Sequence, residues 1–305
     1  MDGKYLLEEK LQHGTKSQPV EILRFDTGPG TGNPEPYFVP RHWHSHVEIL
    51  IFQKGSFTVE LNLEDIVFRE GEICFINSGE LHQIHSNESE SCHEVVLFDP
   101  QILKFAYTDE MQEVLLEPFV NQRDVLPNKI PLEHTMYTEL YEELNELIRT
   151  CRLKEGRWYF YAKLKILYLL SRIQENGGLI SSKSVLTAVE REKIDRYKNI
   201  ISYMEENYMK TISLEELADV IHCNPQYLCH FFKKISGVSP VNYLIQLRIE
   251  QAKRMLKESN LTILEISMEC GFNNTSYFVR QFRKYTGKTP REYRRNLTSA
   301  PYHPI

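Results

Sequence analysis

Between Val20 and Phe98 the apolar residues gather in short runs: Val20–Phe25, Glu48–Phe52, Ser56–Leu61, Ile66–Phe68, Ile73–Ile76 and Glu94–Phe98, with Gly55, Gly71 and Gly79 between them. Short runs at this spacing predict the strands of an all-β sandwich or barrel. From Glu133 the period becomes helical. Tyr137, Tyr141, Leu144 and Ile148 share one face, widened by Leu140 and Leu147. A second stripe, Tyr161, Leu164, Leu167, Leu170 and Ile173, widened by Tyr168 and Leu169, predicts a helix over Arg157–Glu175, ended by Asn176-Gly-Gly178. Helices this apolar must pack on the barrel, on each other or on another copy of the chain. Ile180–Val189 is Ser-rich and reads as a connector. Glu192–Asn207 is helical again, with Ile194, Tyr197, Ile201 and Met204 inward.

The C-terminal stretch repeats itself. Tyr227, Leu228, Phe232, Lys234, Gly237, Pro240 and Tyr243 recur fifty residues later as Tyr277, Phe278, Phe282, Lys284, Gly287, Pro290 and Tyr293. Upstream the offset is forty-nine, so one residue is inserted just before the repeated tyrosine, where a turn is expected. Each copy reads as helix, turn, helix. Ser213 with Glu216, and Thr262 with Glu265, form S/T-x-x-E capping boxes before Leu214–Ile221 and Ile263–Cys270. Asn224-Pro225 opens the next helix of the first copy and Asn274 takes the same place in the second. The first turn is His222-Cys223; the second carries Gly271. Leu228, Phe232 and Ile235 form a core stripe, as do Phe278, Phe282 and Tyr285. The opposite faces carry Gln226, His230 and Lys233, and Ser276, Arg280 and Arg283, polar or cationic groups suited to a DNA major groove. Between the readers, Val241–Lys257 predicts a helix with Tyr243, Leu247, Ala252 and Leu256 apolar and Arg248, Lys253 and Arg254 cationic. Its length, roughly 26 Å, suits a spacer that sets two readers in successive grooves.

The string from Ile266 through Gly271-Phe272, Tyr277-Phe278, Arg280, Phe282-Arg283, Gly287 and Pro290 to Tyr293-Arg294 resembles the signature of AraC/XylS-type bacterial transcription regulators. Ser267 stands where that family usually has alanine, and the first turn lacks the common glycine. The resemblance implies base contacts from Gln226, Cys229 and His230 in the first reader and from Asn274, Thr275, Ser276 and Arg280 in the second. Lys233, Arg283 and Lys284 are expected on phosphate. It also implies RNA polymerase as a partner, a homodimer formed through the helical pair, and a small-molecule effector such as a sugar, with no required cofactor.

In the N-terminal part, His42-Trp43-His44 with Glu48 and Gly55 resembles the first cupin motif, and Gly71, Gly79 and His82 the second. Asn77 stands where proline is usual and Ser86 where asparagine is usual. In metal-binding cupins the matching positions, here His42, His44, Glu48 and His82, hold a divalent ion, and i, i+2 spacing on a strand would put His42 and His44 on one face. Three readings stay open: these residues and Trp43 line an effector pocket without metal, a metal helps to hold the effector, or the chain is a metal-dependent cupin enzyme, a dioxygenase or isomerase, with a DNA-binding appendage. Phe52 and Phe75 are candidate walls of the same pocket. The preferred reading has no catalytic residues.

Composition sharpens the division. The net charge of −6 splits into 18 Lys and Arg against 12 Asp and Glu from Arg191 onward, and 18 against 30 before it, a balance of +6 against −12. A basic C-terminal part suits a polyanion. The six cysteines, Cys74, Cys92, Cys151, Cys223, Cys229 and Cys270, lack C-x-x-C spacing and read as reduced, buried thiols. No apolar run reaches membrane-spanning length and Met1–Glu9 lacks a signal peptide's core, so a cytoplasmic protein with double-stranded DNA as partner is expected. The fold class is mixed: an N-terminal cupin-like β-barrel plus a helical pair, then an all-α domain with two helix-turn-helix units. The expected domains are a sensing barrel with N-terminal arm over 1–130, a helical dimerisation segment over 131–176, a linker over 177–190, and a DNA-binding domain over 191–297 with its motifs at 213–236 and 262–286.

Overall fold

A computed structural model describes residues 14–298 apart from 16, 32 and 34. Residues 1–13 of the expected N-terminal arm lie outside the described residues. The chain divides into two compact units, with the division between Glu192 and Lys193.

The first unit is built on β1 (Val20–Thr27), β2 (Phe38–His42), β3 (Val47–Lys54), β4 (Phe57–Leu61), β5 (Glu64–Phe68), β6 (Ile73–Ile76), β7 (His82–Ser86) and β8 (Ser91–Phe98). Two short strands, β9 (Asp124–Val125) and β10 (Lys129–Ile130), follow the short helix α1 (Glu117–Val120). One antiparallel sheet has the order β1-β8-β3-β6-β10 and the other β2-β7-β4-β5. Alternation along each strand gives each sheet an inner and an outer face. Leu50, Phe52, Val95 and Leu97 of the first sheet meet Phe57, Val59, Leu61 and Ile84 of the second in one buried cluster. The sequence reading missed β2 and β7. Pro40 interrupts β2, which is tolerated because β2 is an edge strand, and β7 is largely polar.

The outer face of the first sheet, through Val47, Ile49, Ile51, Val96 and Phe98, packs against α2 (Tyr137–Leu153) and α3 (Trp158–Glu175). Arg152, in the last turn of α2, pairs with the buried carboxylate of Glu94 on β8 and pins the helix to the sheet. The stripe expected on α3 is displaced. Trp158, Ala162, Ile166, Leu169, Leu170 and Ile173 face the core, whereas Tyr161, Leu164 and Tyr168 are exposed. A helix apolar on several faces does not declare which face is inward. The stretch read as a linker carries structure: β11 (Ile180–Ser181) pairs with β9, and α4 (Ser182–Val185) follows it.

The second unit is all-α. It begins within α5 (Ala188–Asn207) and continues with α6 (Leu214–Val220), α7 (Pro225–Ser236), α8 (Pro240–Glu258), α9 (Ile263–Glu269), α10 (Thr275–Thr286) and α11 (Pro290–Thr298). Ile194, Tyr197, Ile201 and Met204 of α5 are buried, and the Tyr197 ring lies 5.3 Å from that of Phe232 on α7. Cys74, Cys92, Cys151 and Cys270 are buried free thiols; Cys223 and Cys229 are only half-buried. Among the described residues no helix is long and apolar enough to cross a membrane.

Candidate functional site

The two readers match down to single hydrogen bonds. Both capping boxes form: the Ser213 hydroxyl accepts from the Glu216 amide at 3.1 Å, and that of Thr262 from the Glu265 amide at 3.2 Å. In each box the glutamate accepts from the cap residue's amide in return. Asn224 caps α7 by accepting from the Tyr227 amide at 2.8 Å, and Asn274 caps α10 by accepting from the Tyr277 amide at the same distance. Phe232 meets Tyr243, and Phe282 meets Tyr293, edge-on with centroids 5.5 Å apart in both. The turns differ. Gly271 has φ +77°, and in the first copy His222 takes the same left-handed region at φ +52°. A non-glycine residue there carries modest backbone strain.

Caps and cores fix which faces are outward. Gln226, His230 and Lys233 are exposed on α7 and Cys229 is half-buried. On α10, Ser276, Arg280, Arg283 and Lys284 are exposed, with Asn274 exposed at its cap. The Arg280 guanidinium lies over the Tyr277 ring at 5.3 Å, which limits its rotamers while leaving its donors outward. Two residues expected at bases also serve the fold. The Asn274 oxygen is engaged as the cap, leaving its amide donors. The Thr275 hydroxyl lies 3.0 Å from that of buried Ser267 on α9, which also donates to the Leu264 carbonyl. The serine in place of the family's alanine thus ties α9 to α10 through Thr275. α8, at nineteen residues, is about 28 Å long.

In the first unit, His42 on β2 stands directly opposite His82 on β7, their rings 4.1 Å apart. Glu48 comes from the start of β3 in the facing sheet. His44 is not on a strand, contrary to the i, i+2 argument; it lies in the connector from β2 to β3, where its carbonyl accepts from the Gly79 amide at 2.7 Å. Even so, the ligand-type atoms of His42, His44, Glu48 and His82 lie within 4.8 Å of one another, all buried. Trp43 is buried as well. Phe52 and Phe75 do not join this site: Phe75 packs with the helix-side core and Phe52 with the inner cluster.

Each of the three imidazoles has Nδ1 on a main-chain oxygen: His42 on Pro40 at 2.9 Å, His44 on His46 at 3.1 Å and His82 on Glu80 at 2.8 Å. A carbonyl only accepts, so each Nδ1 carries the proton and Nε2 is left for the cluster. His44 Nε2 lies 2.9 Å from Glu48 Oε1, and His82 Nε2 lies 3.9 Å from it without a hydrogen-bond partner. Burial opposes the charge on Glu48, but the His44 bond and the neighbouring imidazoles outweigh it and hold the carboxyl at about 2. Burial, aided by the His42 ring, pushes His82 well below the usual imidazole range. The Glu48 carboxylate and the three Nε2 atoms converge in a dry site; the His44–Glu48 bond needs a proton on His44 Nε2, which a bound cation would displace, and three imidazoles with one carboxylate are a donor set for a divalent transition ion. The residues fit such a metal.

Sequence reasoning missed two features here. One is His93, inward-facing on β8 beneath Phe25, Tyr37 and Phe57. Extending the predicted last strand three residues toward its N-terminus would have placed His93 on the inner face with Val95 and Leu97. The other is the role of Asn77, which stands where the cupin motif usually has proline. Its side chain accepts from the Leu126 amide at 2.8 Å and donates to the Leu126 carbonyl at 3.0 Å. Its own amide donates to Glu80, whose carbonyl holds His82. Leu126 follows β9, which pairs with β11, and Arg191 in α5 donates to the Ser182 carbonyl. Hydrogen bonds therefore run from the histidine cluster to the segment that leads into the second unit.

Comparisons with known proteins assign the two units. The profile of the AraC-like ligand binding domain family matches residues 28–151, and that of a helix-turn-helix domain family matches residues 217–296. The chain is 24% identical over 294 residues, 95% of this chain and 96% of the relative, to the uncharacterized HTH-type transcriptional regulator YdeC of Bacillus subtilis (strain 168). It is 22% identical over 269 residues, 85% of each protein, to the melibiose operon regulatory protein of Escherichia coli (strain K12). Among solved structures, the C-terminal domain of the two-component response regulator yesN from Fusobacterium nucleatum is 34% identical, covering 33% of this chain and 98% of that one with a TM-score of 0.32. A ligand-binding domain followed by a paired helix-turn-helix domain accounts for both units, and the chain belongs to the AraC family of DNA-binding transcription regulators.

Proposed function

We propose that this regulator reads a specific DNA site with α7 and α10 and changes its occupancy, or its contact with RNA polymerase, when a small molecule enters the first unit. The observation that carries the effector reading is the buried cluster of His42, His44, Glu48 and His82, a polar constellation that the core does not need. A sugar or related metabolite is the favoured effector class, supported by the relative named for the melibiose operon. The reading implies a cytoplasmic protein. The exposed Phe160, Tyr161, Leu164 and Tyr168 on α3 support a homodimer formed through that helix. The mechanism is population shift: the effector must favour one arrangement, and the two-residue strand β11, exposed and held by few bonds, is an element whose docking it can bias.

The three Nδ1 bonds favour a second element of this reading, a divalent ion held by His42, His44, Glu48 and His82. Bound there, the ion would supply a Lewis acid for an oxygen-bearing effector. The regulators among the relatives favour a sensor over the alternative of a cupin dioxygenase or isomerase. The test is a melting series of the purified protein against sugars and divalent metals, with metal content measured directly. One compound is expected to raise the melting temperature, by about 2.7 kcal/mol of added stability at a hundredfold excess over its Kd, and to change DNA affinity. His82→Ala is expected to lose that response and any bound metal. Shifts that persist in His82→Ala, or a melting temperature indifferent to every compound, would reject the site.

A further inference from the structure

We propose that Arg248 is a positioning residue that sets the spacing between the two DNA readers. A cation on the connecting helix invites assignment to phosphate, but this guanidinium is committed inward. Its Nε donates to the Tyr208 carbonyl at 2.8 Å and Nη2 to the Lys210 carbonyl at 2.7 Å. Those carbonyls follow the end of α5, the helix that braces the first reader, and a helix end leaves just such acceptors unsatisfied. The same guanidinium lies over the ring of Phe272 at 5.7 Å, and Phe272 is the buried residue after the turn of the second reader. Gly271 completes the joint. A Cβ there would stand 2.3 Å from the Tyr208 carbonyl oxygen and 3.0 Å from the Arg248 guanidinium. One side chain on α8 thus gathers the brace of the first reader and the turn of the second.

The chemistry requires arginine. A planar fork can satisfy two carbonyls and stack on a ring at once, whereas a lysine ammonium is a point donor on a flexible stem. A joint held this way allows one separation and one rotation between α7 and α10. On B-DNA an inserted base pair turns the second groove segment by roughly 35° and moves it by about 3.4 Å. A stiff pair of readers then loses one groove; a loose pair follows it.

The inference rests on the two-reader account, and its test separates the two. Full-length protein is offered a DNA site selected by the wild type, and the same site with one base pair inserted between its two blocks. If no two-block site is selected at all, the two-reader account fails first. Wild type is expected to lose about a hundredfold on insertion, the scale of abandoning one reader's base contacts. Arg248→Ala, and separately Gly271→Ala, which wedges the joint without removing charge, are expected to lose about tenfold or less. Arg248→Lys keeps charge and stem should the alanine variant fail to fold, and is expected to show the same relaxed ratio. A merely destabilised fold weakens both complexes equally, so a wild-type ratio in these variants overturns the proposal. So does a flatter salt dependence in Arg248→Ala, which would mark a phosphate contact.

Discussion

Replacing His93 with phenylalanine is expected to stabilise the first unit, and to do so most at mildly acid pH. The His93 side chain is fully buried, and neither ring nitrogen has a hydrogen-bond partner. Its surroundings are aromatic: Phe25 stacks at 5.1 Å, and Tyr37 and Phe57 meet it edge-on at 4.4 and 5.0 Å. Burial lowers its pKa to about 4, against small opposing influences from Glu48 and Asp26. In the unfolded chain an imidazole titrates near 6.5, so between pH 6.5 and 4 the unfolded state binds the extra proton. Stability therefore falls as pH drops through that window, by about 2 kcal/mol at pH 5. Phenylalanine removes this proton linkage and also the unmet donor and acceptor, which cost about 1–3 kcal/mol at any pH. Denaturant unfolding at pH 7 and pH 5 checks both parts. A variant whose stability drops between those values as steeply as the wild type's would contradict the assignment.

Arg280→Ala is expected to weaken binding to the selected site by roughly ten- to a hundredfold, because a bidentate arginine–guanine contact carries about 1–3 kcal/mol of discrimination. The loss should appear as a relaxed preference at one base position. The fold should survive, since Arg280 is exposed and its neighbour Tyr277 keeps its place against the core of the second reader. Arg283→Ala is the control: as a phosphate contact it should weaken all sequences alike and flatten the salt dependence by about one unit. Binding measured on a set of singly substituted sites separates the two patterns. An unchanged base preference in Arg280→Ala would remove that residue from the reading face.

How much of this was visible in the sequence depends on how local the determining forces are. The duplicated readers could be read with their caps because Ser213 with Glu216, Thr262 with Glu265, and Asn224 and Asn274 act within one helical turn. The histidine cluster was visible as a motif but for a wrong local reason. His44 is off the strand, and a cross-strand pair of His42 with His82, forty residues apart, builds the site. No local spacing announces such a pair. The inward face of α3 was misjudged because nearly every face of that helix is apolar. Arg248 showed only as one of three cationic positions on the connecting helix, because its partners, two main-chain carbonyls and a ring, carry no sequence signal. Asn77 registered only as a departure from a motif, and its function appears once Leu126 lies beside it.

The central claim is that one chain reads DNA with two matched helices held at a fixed spacing. Selection of binding sites from random duplex DNA by the purified full-length protein tests it most directly. The account predicts two preferred blocks centred about 10 base pairs apart within each asymmetric site, the block read by α10 being the sharper. A single preferred block, or binding that sorts sequences no better than chance, would contradict it.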